Sequence, residues 1–72
     1  MGNNISFATC TYDEAIQYLN GAQTQLMLTD DRSSIHAELS MQLGRISSNP
    51  NFTDAQKKEL AFKTGALIGA SM

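Results

Sequence analysis

Two four-residue signatures, Thr11-Tyr12-Asp13-Glu14 and Thr53-Asp54-Ala55-Gln56, fix where helices can begin in this chain. Each is a capping box. The threonine oxygen accepts from the amide three residues on, and the side chain there reaches back to the threonine N–H. Two of the orphan amides of a helix start are thus satisfied by purely local sequence. After Thr11, the residues Tyr12, Ala15, Ile16, Leu19, Ala22, Leu26 and Met27 recur at three and four, which makes one apolar helix face. Asn20-Gly21 could bend this helix, but the stripe continues past it, so the spacing predicts a helix over about 12–28.

Thr29-Asp30-Asp31 supplies N-cap candidates for a second helix. Its stripe is Ile35, Leu39, Leu43 and Ile46, with Ala37 and Met41 on an adjoining side, over about 32–47. Ser47-Ser48-Asn49-Pro50-Asn51 stops it, because proline cannot continue a helix and restricts the residue before it. The second capping box opens a third helix over about 54–70. Residues 1–11 read differently: Ile5, Phe7, Thr9 and Thr11 alternate with Ser6, Ala8 and Cys10, the period of an extended segment. One strand cannot satisfy its own backbone, so this arm must pair with a second copy or a partner, or lie over the helices. The expected fold class is all-α: a single three-helix bundle over residues 12–72, preceded by an extended arm at 1–11.

At 72 residues the chain hides only about 60% of its unfolded surface. Cys10 is its only cysteine, so no internal disulfide can help, and a lone thiol fits a reducing compartment. No cationic start leads into an apolar run, so no secretory signal is expected and the expected location is the cytoplasm. The triplets Asn4-Ile5-Ser6 and Asn51-Phe52-Thr53 then have no role as glycan acceptors. No apolar stretch approaches the roughly 20 residues that cross a bilayer. Charged residues make up 17% of the chain, and this low share leaves a surface that is cheap to desolvate in a contact. The acids Asp13, Glu14, Asp30 and Asp31 fall in the first 31 residues, which hold no Lys or Arg; the bases Arg32, Arg45, Lys57, Lys58 and Lys63 come after them. Helix-end electrostatics account for most of the acids.

No catalytic constellation emerges. Cys10 and His36 are not linked by local sequence, and Asp13 and Glu14 oppose a thiolate at Cys10, so the chain is not expected to be an enzyme. One cysteine and one histidine cannot build a structural zinc shell, and Asp30-Asp31 is too short for a calcium loop, so no metal or cofactor is expected. Residues 57–65, with Ala61 and Gly65 four apart, look like the first helix and turn of a helix-turn-helix DNA-binding regulator. The stretch after them, 66–72, is apolar and short, and the net charge is −2, so the chain alone is not expected to bind nucleic acid. Met1-Gly2-Asn3-Asn4-Ile5-Ser6 matches the N-myristoylation pattern at Gly2. A second anchor would be needed, and Cys10 could take a palmitoyl group, so a peripheral membrane protein is one alternative reading.

The last helix carries the main functional expectation. Leu60, Thr64, Leu67 and Ser71 share one row, and Ala61, Gly65 and Ile68 the next. Phe62, Ala66, Gly69 and Ala70 leave it apolar or small almost all round. Two helix-interior glycines each cost about 1 kcal/mol relative to alanine, so close approach of another backbone would be their compensation. The expectation is a non-enzymatic interaction module: an adaptor, assembly factor or inhibitor of the size carried by phages and mobile elements. It would dock on a larger protein, self-associate, or both, with Phe62, Gly65, Leu67, Ile68, Gly69 and Met72 in the contact.

Overall fold

The structure, a computed structural model, describes residues 5–71. Gly2 and Met72, singled out above, lie outside the described residues. Three helices succeed one another: α1 (Tyr12–Leu28), α2 (Arg32–Arg45) and α3 (Asp54–Ala70). Both capping boxes form. Thr11 Oγ1 accepts from the Glu14 N–H while the Thr11 N–H donates to Glu14 Oε1 at 2.9 Å. Thr53 and Gln56 repeat the exchange at 3.0 and 3.1 Å. Asp31 caps α2 differently: its carboxylate accepts from the Ser33 and Ser34 hydroxyls and not from a backbone amide. The Ser34 bond, then the Ser33 bond, hold that carboxyl below its ordinary pKa.

The end of α2 departs from the expected run to about 47. The α-helix stops at Arg45 and tightens into a 3-10 turn over Ile46–Ser48. Pro50 is the cause, since it pushes Asn49 into extended backbone (φ −84°, ψ 115°) and ends the spiral. Gly21 does not break α1, which runs straight through it.

The three apolar faces meet in one core, in which Ala15, Leu39 and Leu60 have no exposed surface and Leu19, Leu26, Ile46 and Phe52 are buried around them. α3 packs most extensively on α2 and less on α1. The Cα radius of gyration is 11.4 Å, near the ~11 Å that a folded chain of this length takes.

Among the described residues of the N-terminal segment, 5–11, no strand forms. Residues 7–9 make a turn, with the Thr9 and Cys10 amides both donating to Ser6 O at 3.1 and 2.9 Å. The alternating pattern therefore does not mark an extended arm here: the segment lies over the helices, turned. The reason is Phe7, which is fully buried and meets Tyr18 edge to face (centroids 5.2 Å apart, planes at 72°). Inserting Phe7 drags backbone into the core, and side-chain amides satisfy it. The Phe7 N–H donates to Gln42 Oε1 (2.9 Å), and Gln42 Nε2 returns a bond to Ile5 O (2.7 Å). Asn49 Nδ2 donates to the carbonyls of Phe7 (3.0 Å) and Cys10 (2.8 Å). Asn51 adds a bond from Nδ2 to Thr9 O at 3.1 Å.

Tyr18, absent from the expected stripe, is also buried, and its hydroxyl donates to Glu38 of α2. Burial first, and then that bond, push its pKa up to about 12.

Two substitutions test this core. Phe7→Ala removes a fully buried ring, at a cost of about 3–5 kcal/mol. A core of this size supplies roughly that much in total, so urea titration should find the variant largely unfolded. Asn49→Ala strands two buried carbonyls and should lower the urea midpoint by an amount worth about 1–3 kcal/mol. A further measurement concerns pH. In the folded state Tyr18 keeps its proton above the ordinary tyrosine pKa of about 10, so the native state holds more protons than the unfolded one there. Stability should therefore be intact below pH ~10 and fall as pH rises from 10 towards 12, and a Tyr18→Phe variant should lose that slope.

Candidate functional site

Cys10 and His36, the two side chains weighed for catalysis in the sequence, stand in different places in the fold. Cys10 is buried, and burial, reinforced by the nearby Glu14 charge, raises its thiol pKa. That is the opposite of what a nucleophile or an acceptor thiol needs. His36 lies near the start of α2 and contacts the Ser71 hydroxyl at the end of α3, whereas Cys10 is tied to Asn49 beyond the other end of α2. The cysteine and the histidine are therefore kept apart. The Ser71–His36 contact is the arrangement that sequence reading missed. The Ser71 hydroxyl donates back to Leu67 O (2.7 Å), so its proton is engaged within α3 and the contact serves as a clasp between helix ends. Among the described residues, no three of His, Cys, Asp and Glu gather as metal ligands. No helix there is long and apolar enough to cross a membrane. The helix-turn-helix likeness at 57–65 does not survive, because α3 continues unbroken through Gly65 and no turn forms there.

The surface is more informative. Tyr12 at the start of α1 donates to Glu59 Oε1 near the start of α3 at 2.7 Å, which pins those two starts together. Further along, Leu19 and Gln23 of α1 face Phe62, Ala66 and Leu67 of α3, and Met27 comes level with Ala70. The two helices therefore run in the same direction. Side chains as small as Ala66 and Ala70 cannot fill the space between them, and a groove of about 310 Å³ opens there, continuing into one of about 290 Å³ towards the helix ends. Phe62 stands at its edge with 77% of its surface exposed, and Met27 at its far end with 79%.

The residues expected in a contact separate into three groups. Phe62 is on the surface, and Leu67 forms part of the groove while half-buried against the core. Ile68 packs on the core as well and is half-buried. Gly65 and Gly69 are exposed on α3, and a Cβ placed on either would meet nothing within 4 Å. Among the described residues nothing approaches them, so the compensation expected for two helix-interior glycines is not found there. Met27 was assigned to the inward stripe of α1 but points out. A second shallow groove, of about 510 Å³, lies where Ile5 meets Ala37, Met41 and Arg45.

The fold and surface define a small all-α three-helix bundle with a capped, strapped core and an apolar groove between the parallel helices α1 and α3. Comparison with family models, with curated proteins and with solved structures finds no match to this chain.

The open space over the glycines gives a direct expectation. Gly65→Ala and Gly69→Ala should each raise the stability of the isolated chain by about 0.5–1 kcal/mol, read as a higher urea midpoint with unchanged slope.

Proposed function

We infer that this chain is a non-enzymatic interaction module that docks on a larger protein through the groove between α1 and α3. One observation carries the reading: Phe62 and Met27 are both more than three-quarters exposed and sit at the margin of one continuous apolar groove. Isolated exposed apolar residues are ordinary, but a cluster around a concave surface is the usual mark of a contact site. A rigid frame supports the same role, since both flanking helices are capped at their starts and tied to each other there. Phe62 is an aromatic anchor with mostly uncharged groove neighbours, Leu19, Gln23 and Ala66 among them, and such an anchor desolvates cheaply on contact. As an adaptor, assembly factor or inhibitor, the chain would work by occupying or bridging its partner's surface. A buried, protonated thiol suits a reducing, cytoplasmic setting for that work.

A photo-crosslinking side chain placed at Phe62 in the native cell tests this, with Ser40 on the exposed side of α2 as the control position. The expected result is a protein adduct of defined mass from position 62 and none from position 40. Absence of an adduct at 62, or equal labelling at both positions, would sink the docking reading.

A further inference from the structure

The groove between α1 and α3 has a charge pattern that docking alone does not require. The chain carries a net charge of −2, yet no Asp or Glu lines this groove. Among the described residues, the charged ones that line it are both basic: Lys63 beside Phe62 at one end, and Arg32 beside Met27 and Ser71 at the other. Between them the walls are apolar or uncharged. From Phe62 to Ser71 a helix rises about 14 Å at 1.5 Å per residue, so the two cations bracket a trough two and a half turns long.

Building on the docking reading above, we propose that the occupant is an amphipathic helix of another protein, with its apolar face in the trough and acidic residues flanking that face at both ends. Helix-in-groove recognition reads apolar anchors at i, i+3 or i+4, and i+7, which span about 10 Å of helix and fit between the two cations. An acidic residue about one position outside the anchors on each side then comes level with Lys63 or Arg32. Bound there, the guest packs against α1 and α3 together and completes the bundle on its open side.

A second copy of this chain fits less well. A two-fold pairing of the face on itself brings Lys63 of one chain towards Arg32 of the other, twice over. Like charges across a contact cost affinity and reject the partner that carries them. Nucleic acid fits less well again, because two cations at the ends of an apolar trough do not track a phosphate backbone.

Display selection of helix-forming peptides about four turns long, with the full chain as bait, tests the proposal. Recovered binders should carry apolar residues at helical spacing with Asp or Glu on both flanks. Arg32→Glu with Lys63→Glu should weaken them about tenfold, each exposed pair being worth about two- to fivefold. The same double reversal should restore binding of peptides whose acids are changed to Lys. Phe62→Ser should weaken both peptide types. All three positions are exposed, so the helical circular dichroism signal should be unchanged in these variants. Binders with basic or uncharged flanks, binding insensitive to the double reversal, or no recovered binder would each overturn the proposal. So would sedimentation showing a dimer that Phe62→Ser dissociates, which would give the groove to a second copy. If position 62 crosslinks to a protein while the selection fails, only the acidic-helix chemistry falls and the docking reading stands. If position 62 captures nothing, the docking reading falls with it.

Discussion

Burial of the Phe7 ring is the constraint on which the rest of the molecule depends. A side chain from an irregular segment cannot reach a helical core without bringing its own peptide groups along. Those groups cannot be left unpaired away from water. Gln42 and Asn49 resolve the problem because an amide side chain is donor and acceptor at once. Gln42 takes the Phe7 N–H with its oxygen and serves Ile5 O with its nitrogen. Asn49 takes the Asn51 N–H on its oxygen and serves two strap carbonyls with its nitrogen. Both polar side chains are therefore buried at no net loss, and among the described residues no buried side-chain polar atom lacks a partner. Pro50 belongs to the same device: by forcing Asn49 out of helical backbone it places that amide next to the strap.

The strap packs as a fourth element on the α2 side, where a shallow groove remains beside Ile5 and Met41, and a second opening lies between α1 and α3. An odd number of short-linked helices makes the first and last run in the same direction. The Tyr12–Glu59 bond sets their relative height at the start. Beyond that point the facing residues of α3 shrink to Ala66 and Ala70, and the separation is left as a groove. Phe62, one turn before Ala66, has no cavity in its own chain to enter and stays in solvent. The site thus follows from the small side chains of Ala66 and Ala70 in the stretch of α3 that faces α1.

Most of the fold was legible in the sequence because its punctuation is local. Capping boxes at Thr11 and Thr53 and the proline after Asn49 act over four residues or fewer; α1 and α3 begin at the boxes, and the helical run of α2 is over before the proline. What local signals could not give was the fate of residues with two plausible environments. The alternation around Phe7 has the period of a strand, but the hydrophobic gain from one buried ring, with four bonds from the Gln42 and Asn49 amides, outweighs a strand that has nothing to pair with. Gln42 and Tyr18 lie outside the apolar stripes, so periodicity does not mark them, and only their distant partners make them core residues. Met27 was the converse, apolar and in register but beyond the reach of any neighbour.

The candidate site divides along the same line. The excess of apolar and small residues on α3 can be counted in the amino-acid string, and it marked Phe62 as a contact residue. The groove itself cannot be read there, nor can its two basic ends, because Leu19, Gln23, Met27 and Arg32 lie more than thirty positions from the α3 residues they face. The sequence determined where helices start and stop and which faces are apolar, since capping and periodicity are short-range. Tertiary packing alone decided which apolar side chains were left in water and which charges border them, since that depends on the volume left over once the strap and three helices have closed on each other.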